Sequence, residues 1–237
     1  MMLSLHNVTA GYDRHPVIHH LNLDIEAGQM IAVIGPNGGG KSTLLKAILN
    51  EIAPMDGEIK NGFPKTGYIS QLFNVNHSFP ATVGFFVGAA LIKDVGLFRP
   101  IKRALITDAL RIVKLDSFEK KYLSTLSGGQ FQRAQFARLY LQHPDLVLLD
   151  EPFSAIDQKT TLELIDLLKE WNRQGKTIVT VMHDLNLVRE HFPYTLALAR
   201  EIIGFGKTSE IMTEATILKT FSLDMAVNPN AEICHRN

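Results

Sequence analysis

Three short runs of apolar residues without polar alternation are the clearest signal in the pattern of the chain. They occupy positions 30–35 (MIAVIG), 146–150 (LVLLD) and 177–184 (TIVTVMHD). Strands covered on both faces by helices have this pattern, because neither face meets water. We therefore predict a mostly parallel central sheet. Each run ends in residues that can do chemistry, and open α/β sheets bind ligands beyond the carboxyl ends of their strands.

Helical periodicity separates the predicted strands. Two segments place apolar residues three and four positions apart, which indicates helices with one buried face. The residues are Leu164, Ile165, Leu168 and Trp171, before a stop at Gly175, and Ile106, Ala109, Leu110 and Val113 further upstream. Both helices are predicted to pack on a core.

The order of these patterns predicts the fold class, which is α/β. Residues 1–30 alternate and contain turn residues, so we predict antiparallel strands in an N-terminal β-subdomain. Residues 72–144 have mostly helical pattern and no buried-strand run. We predict that they form an α-helical subdomain inserted into a core made of residues 1–71 and 145–237. The chain, 1–237, is predicted to be a single domain.

Composition and charge exclude some classes of protein. The chain has 237 residues, is 46% hydrophobic, and carries 24 basic and 24 acidic residues. Because there is no overall positive field, we expect no nucleic-acid partner. The one cysteine, Cys234, excludes an internal disulfide framework. We expect no secretion signal, and the apolar stretch 81–92 is shorter than the about twenty residues of a membrane span. The chain is not expected to cross a membrane by itself.

A glycine-rich loop follows the first predicted buried strand. Its sequence, GPNGGGKS at 35–42, fits the spacing G-x-x-x-x-G-K-[ST] of a phosphate-binding loop between a strand and a helix. Backbone amides and the helix N-terminus would face the phosphates, Lys41 would lie against the β- and γ-phosphates, and Ser42 would reach Mg²⁺. The alternative is a turn that merely begins a helix. The predicted nucleotide-binding residues are Gly35, Pro36, Asn37, Gly38, Gly39, Gly40, Lys41, Ser42 and Thr43.

Two carboxylates follow the second buried strand, in LVLLDEP. Asp150 can hold Mg²⁺, usually through water, and Glu151 can polarise the water that attacks the γ-phosphate. Two acids after a strand can also be a helix N-cap and its neighbour. Next to a phosphate loop, the catalytic interpretation is favoured.

The pentapeptide LSGGQ at 126–130 precedes this strand. Its serine and glycines, Ser127, Gly128 and Gly129, leave a helix N-terminus uncovered, which is a second anion site in one chain. With the phosphate loop and LVLLDEP, this sequence resembles the nucleotide-binding subunit of ATP-binding cassette (ABC) transporters over nearly its whole length. The resemblance implies a P-loop NTPase core, ATP and Mg²⁺ as cofactors, and ATP hydrolysis.

The resemblance also implies a partner, a second copy of the chain. Two ATP molecules would be sandwiched in a head-to-tail dimer, each held by one copy's phosphate loop and by Ser127, Gly128, Gly129 and Gln130 of the other. Asp157, beside Ser154 and Ala155, matches the loop that crosses the dimer interface, and it can also be the N-cap of the next helix.

Three further positions match the family pattern. Tyr12 would stack on adenine, Gln71 would join the Mg²⁺ and water shell, and His183 would hold Glu151 and the water in line while bonding the γ-phosphate. Simple packing for Tyr12, an exposed surface position for Gln71 and a structural role for His183 are the alternatives. The implied catalytic residues are Glu151, His183, Lys41 and Gln71, and the implied metal ligands are Ser42, Gln71 and Asp150.

The resemblance implies an energy-coupling ATPase on the cytoplasmic face of a cell membrane, bound peripherally to a membrane-spanning permease. Phe79, Phe85 and Phe86 are predicted to form the groove for a permease helix, with the subdomain core as the alternative. Two segments, NHSFPATV and DEPFSAID, look similar to the corresponding segments in the cassettes of zinc or manganese importers. The resemblance to such importers also implies an extracytoplasmic solute-binding protein. Iron-chelate importers and soluble ABC ATPases are the alternatives. From Thr213 onward we expect a helix and a small strand. The scattered histidines are predicted to be surface or packing residues, and so are Cys234 and His235, which form no ligand set of the number and geometry that a metal requires; the histidines are His19, His20, His77 and His191.

Overall fold

The computed structural model describes residues 1–70, 80–92, 102–154 and 156–222. Contacts divide the chain into two compact units. The first consists of Met1–Phe63 together with the chain from Thr177 onward, and the second is Pro64–Lys176.

The strands of the first unit form two sheets. In chain order the first unit contains β1 (Met2–Tyr12), β2 (His15–Glu26), β3 (Met30–Ile34), β4 (Asp56–Asn61), β7 (Thr177–Val181), β8 (Tyr194–Ala199) and β9 (Glu201–Lys207). The second unit contains β5 (Thr66–Ile69) and β6 (Leu146–Leu149). β1 pairs antiparallel with β2 and β4, which makes the predicted antiparallel subdomain. β3 lies between β7 and β8, parallel to both, and β9 closes the edge antiparallel to β8. In the second unit β5 and β6 are parallel.

The described helices are distributed over both units. They are α1 (Lys41–Ile48), α2 (Val83–Gly88), α3 (Arg103–Ile112), α4 (Gly128–Leu141), α5 (Gln158–Arg173), α6 (Leu185–His191), α7 (Thr208–Ile211) and α8 (Glu214–Phe221). Within the described residues, no helix combines the length and apolar character needed to span a membrane.

The three predicted buried strands are confirmed. Every residue of β3, β6 and β7 is buried. Val33 and Val181 are register partners in the parallel pair β3–β7. Branched side chains fill the space on both faces of such strands, which is why the runs show no alternation.

The two predicted helices are confirmed as α3 and α5. All four apolar positions predicted for α5 are buried, and the chain leaves the helix at Gly175 with a φ of 90°. In α3 the fully buried positions are Ala109 and Leu110, with Val113 buried at the helix end, while Ile106 is partly exposed. The helix expected after Thr213 is α8, which Thr213 caps through its hydroxyl.

The mostly parallel sheet and the antiparallel N-terminal sheet agree with the predicted α/β class. Helices α2, α3 and α4 lie within 72–144, but the second unit also contains β5, β6 and α5. The boundaries of the predicted helical subdomain stay a prediction. Gln71, His77, Phe79, Ala155, Cys234, His235 and the strand expected near the end of the chain lie outside the described residues.

Candidate functional site

The glycine-rich loop joins β3 to α1 in the first unit, and close backbone approach explains two of its glycines. A Cβ on Gly35 would lie 1.9 Å from the carbonyl oxygen of Leu198. Gly40, the N-cap of α1, has a φ of 92°, and a Cβ there would lie 2.3 Å from Cγ2 of Ile18. A side chain at either position would push the loop away from the neighbouring strands β8 and β2. Without these side chains, the backbone amides stay accessible to a bound anion.

Lys41 places a positive charge on this loop. Its Nζ donates hydrogen bonds to the carbonyl oxygens of Gly35 and Pro36, both at 2.8 Å, and the residue is only 6% exposed. The ammonium group is therefore held over the loop before any ligand arrives. A phosphate chain wrapped by the loop would meet a charge that needs little rearrangement.

The rest of the loop provides polar groups around that charge. Asn37 and Gly38 are exposed, Ser42 is partly exposed, and Thr43 is buried in the first turn of α1. A Cβ on Gly39 would lie 3.0 Å from the Pro36 carbonyl oxygen. Glycine thus relieves a tight contact inside the loop at this position.

Tyr12 ends β1 next to a tight turn in the same unit. Its side chain is exposed, and its hydroxyl accepts a hydrogen bond from Nζ of Lys46 at 3.3 Å. That ammonium also lies 5.6 Å from the centre of the ring. Tyr12 is therefore not a core residue, and its ring can take a stacking partner.

His183 is exposed and follows the buried strand β7 in the first unit. The next residue, Asp184, caps α6 by accepting from the amides of Asn186 and Leu187 at 2.8 and 3.1 Å. The backbone of His183 is thus anchored on both sides, by a strand and by a helix cap.

Asp150 and Glu151 follow β6 in the second unit. Asp150 is 3% exposed, and its amide donates to the carbonyl oxygen of Ile69 at 2.9 Å. Glu151 has a φ of 51°, in the left-handed region that is unfavourable for a residue with a side chain. The hydroxyl of Ser154 donates to the Glu151 carbonyl oxygen at 2.9 Å and supports this conformation.

The chemistry of these donors fits Mg²⁺ bound together with a nucleotide. Mg²⁺ prefers oxygen ligands and usually takes one or two from the protein, with phosphates and water completing its shell. Each unit contributes one group of that type, taken by itself: the first has the Ser42 hydroxyl at the start of the phosphate-loop helix, and the second has the buried Asp150 carboxylate at a strand end. Within the described ranges, no cluster of three His, Cys, Asp or Glu residues could hold a metal ion alone.

The LSGGQ segment begins α4 in the second unit, and its start is capped. The Ser127 hydroxyl accepts from the Gln130 amide at 3.3 Å, while the Gln130 side-chain oxygen accepts from the Ser127 amide at 3.1 Å. The sequence prediction of an uncovered helix N-terminus is therefore corrected in part. The first-turn residues without side chains are Gly128 and Gly129, and a capping box fixes the backbone around them.

Asp157 caps the N-terminus of α5, which is one of the two roles predicted for it. Thr160 bonds both carboxylate oxygens, from its amide to Oδ1 at 2.9 Å and from its hydroxyl to Oδ2 at 2.8 Å. These bonds lower the pKa of Asp157. A Cβ placed on Gly129 would lie 3.7 Å from Oδ2 of Asp157, so the structure brings LSGGQ and Asp157 together.

The two described phenylalanines of the predicted groove, Phe85 and Phe86, differ in their exposure to solvent. Phe85 on α2 is 61% exposed, whereas Phe86 is 7% exposed. Phe86 packs 5.7 Å from the Phe131 ring and 4.8 Å from the Arg138 guanidinium, so it is a core residue and not part of a groove. Tyr122, which sequence reasoning missed, is exposed and pairs through its backbone with Thr82, at the start of α2.

Comparison with known proteins identifies the family. Residues 18–154 match the ABC transporter family. The chain belongs to the ABC transporter family. The manganese transport system ATP-binding protein MntB of Bacillus subtilis is 34% identical over 229 residues, which cover 92% of each chain. Like the other cassettes of the ABC family, this chain binds nucleotide and hydrolyses ATP.

Solved ABC structures confirm the fold. An ABC transporter of the metal-chelate type in an inward-facing conformation has a TM-score of 0.84 and 30% identity, covering 93% of this chain and 88% of the other. A dimeric ATP-binding cassette in a post-hydrolysis state, with ADP and Pi bound, has a TM-score of 0.77 and 28% identity, covering 87% and 98%. The predicted P-loop NTPase core is therefore confirmed.

Proposed function

We propose that this chain is the energy-coupling ATPase subunit of an ABC importer for a metal cation, manganese or zinc. The observation that carries the proposal is the near full-length match to MntB, at 34% identity over 92% of each chain. An importer of iron chelates is the second candidate, supported by the similarity to a metal-chelate type transporter. A soluble ABC ATPase has no comparable support.

ATP and Mg²⁺ are the proposed cofactors of hydrolysis. Gly35 to Thr43 bind the phosphates, with Lys41 against the β- and γ-phosphates. Its position over the loop, 2.8 Å from two loop carbonyls, supports this role. Ser42, Asp150 and Gln71 hold Mg²⁺, which neutralises phosphate charge when bound.

Glu151 is the proposed general base for the attacking water, and His183 holds that water and the γ-phosphate in line. The constrained backbone of Glu151 supports the assignment, because a base must be held at a fixed position to take a proton efficiently. Tyr12 stacks on the adenine, for which its exposed ring is suited.

A second copy of the chain completes each ATP site in the proposed working form. Ser127, Gly128, Gly129 and Gln130 contact the γ-phosphate held by the partner copy, and Asp157 lies at the interface. Similarity to a dimeric cassette with ADP and Pi bound supports this assembly. The capped start of α4, with two glycines in its first turn, supports a role in anion binding.

A membrane-spanning permease is the second proposed partner, bound at the cytoplasmic face of the membrane. Exposed aromatic side chains on or beside α2, Phe85 and Tyr122, support a docking surface for an apolar helix. An extracytoplasmic solute-binding protein takes part only through the permease. We also propose the domain boundaries predicted from the sequence, with a helical subdomain at 72–144. The docking surface then belongs to that subdomain.

Transport by the complete system tests the proposal. The chain is purified from detergent-solubilised membranes together with the permease that it binds, reconstituted in vesicles with the solute-binding protein, and supplied with ATP. We expect ATP-dependent uptake of Mn²⁺ or Zn²⁺, abolished by Glu151→Gln. Uptake of a ferric chelate alone would favour the second candidate, and failure of the chain to associate with any permease would overturn the proposal.

A further inference from the structure

Arg133 is a charged side chain with several hydrogen bonds that the proposed mechanism leaves unused. It lies on α4, three residues or about one turn beyond LSGGQ, and its side chain is 13% exposed. Its guanidinium donates to the Glu163 carboxylate, to the Thr160 hydroxyl at 3.4 Å and to the Val113 carbonyl oxygen at 3.2 Å. One side chain of α4 thereby bonds α5 and the end of α3.

Thr160 continues this network to Asp157. Its hydroxyl accepts from Arg133 and donates its own proton to Oδ2 of Asp157 at 2.8 Å. The same hydroxyl would lie 3.5 Å from a Cβ on Gly129. A continuous path of hydrogen bonds therefore runs from the helix that begins at LSGGQ to the carboxylate of Asp157.

Glu163, at the other end of the network from Asp157, also has hydrogen-bond partners. Glu163 accepts from Arg133 and from Nζ of Lys114 at 3.2 Å, and its side chain is 23% exposed. A planar guanidinium offers donors in a rigid fork, which a lysine cannot reproduce. Arg133 is therefore suited to fix the relative position of three backbone segments, and not only to neutralise one carboxylate.

We propose that Arg133 and Thr160 are positioning residues for ATP hydrolysis, which hold Asp157 and the LSGGQ turn as one rigid piece. This inference rests on the proposed dimer, in which both elements meet the nucleotide and surface of the partner copy. A reacting geometry that shifts by a fraction of an ångström loses rate, even when the chemical groups themselves are unchanged. The two residues act through Asp157 and the first turn of α4 at Gly129, and they touch no substrate.

Thr160→Val tests the proposal with little change of shape. Valine removes the hydroxyl that links Arg133 to Asp157, but it keeps the Thr160 amide bond to Asp157 and the Arg133–Glu163 pair. We expect kcat to fall by about five- to fiftyfold with an unchanged KM for ATP and little change in Tm. Thr160→Ser keeps the hydroxyl and should restore most of the rate.

Thr107→Val is the matched control. Its hydroxyl donates to the carbonyl oxygen of Arg103 within α3 and has no bond to Asp157 or Arg133. We expect this variant to hydrolyse ATP at the parent rate. If Thr160→Val also kept the parent kcat, or if it lowered Tm and raised the KM for ATP without lowering kcat, the positioning role would be overturned.

Arg133→Lys supplies a second test that does not depend on one threonine. A lysine keeps the charge beside Glu163 but cannot reach all three acceptors. We expect a lower kcat, and adding Thr160→Val to Arg133→Lys should cost much less than it costs in the parent, because both changes break the same path. Full additivity of the two losses would contradict the proposal.

The dimer itself is measured separately, by sedimentation of Glu151→Gln with Mg²⁺ and ATP. A strictly monomeric Glu151→Gln protein would overturn the proposed dimer and this inference with it. If Glu151→Gln dimerises but Thr160→Val and Arg133→Lys hydrolyse ATP normally, only the inference fails.

Discussion

The hydroxyl of Ser154 donates a hydrogen bond to the main-chain carbonyl oxygen of Glu151 at 2.9 Å, and the Ser154 amide reaches the same oxygen at 3.2 Å. Glu151 needs this support because its φ of 51° is unfavourable for a residue with a side chain, by about 1–2 kcal/mol. The proposed base is therefore held by its own turn.

Ser154→Ala should lower kcat and leave the KM for ATP unchanged. Losing one hydrogen bond of about 0.5–1.5 kcal/mol corresponds to a decrease of about 2- to 12-fold if the bond acts on the position of Glu151. Steady-state ATPase kinetics measure this change. Ser154→Thr keeps the hydroxyl and is the control; equal rates for the alanine and threonine variants would show that the bond does not position the base.

Glu151→Gln should bind ATP normally and lose turnover by about 10²- to 10⁴-fold, because an amide cannot take a proton from water. Nucleotide binding and phosphate release are measured on the same preparation. Glu170→Gln, a change on the outer face of α5 beside Arg173, is the control and should keep the parent rate. Parent-like hydrolysis by Glu151→Gln would mean that another group is the base.

Tyr12→Ala should weaken ATP binding by about 5- to 150-fold, the equivalent of about 1–3 kcal/mol of stacking on the adenine. Tyr12→Phe keeps the ring and loses only the hydroxyl that accepts from Lys46. We expect the phenylalanine variant to bind ATP nearly as tightly as the parent. A titration with ATP and with inorganic triphosphate separates base stacking from phosphate binding, and an equal loss for both ligands would exclude stacking.

Phe85→Asp should remove stimulation of the ATPase by the permease while the basal rate stays unchanged. Phe85 is 61% exposed, so a charge there does not disturb the core, but it does oppose an apolar docking helix. Leu105→Asp, on the exposed side of α3, is the control with a similar change of polarity. Normal complex formation and normal stimulation with Phe85→Asp would show that the permease binds elsewhere.

Acid should remove the stabilising effect of Glu163. Its pKa lies below the ordinary value of 4.5, chiefly because Arg133 donates a hydrogen bond to it, with a further bond from Lys114. The carboxylate therefore contributes stability that is present above about pH 4.5 and is lost as the pH falls through the lowered pKa of the folded protein. The difference in Tm between the parent and Glu163→Gln should shrink over that range. A constant difference from neutral pH to about pH 3 would contradict this account.

Much of the candidate site could be predicted from the sequence, because the residues of each part are contiguous in the chain. The phosphate loop needs glycines, a lysine and a serine at set spacings between a strand and a helix, and all of these follow β3 directly. The capping role of Asp157 follows from its position before a periodic helix. The capping box of Ser127 and Gln130 was also readable, since S-x-x-Q before a helix is its signature, although the sequence prediction left that helix start uncovered.

The sequence by itself determined the buried strands, the one-sided helices and the phosphate loop, because periodicity and short-range spacing encode them. Only the tertiary structure decided which of the neighbouring residues Phe85 and Phe86 is buried, since that depends on how α2 packs against α4. It alone revealed the bonds of Arg133 to Thr160 and Glu163, which lie 27 and 30 positions away along the chain. Such contacts leave no local pattern, because packing and not spacing along the chain brings their atoms together.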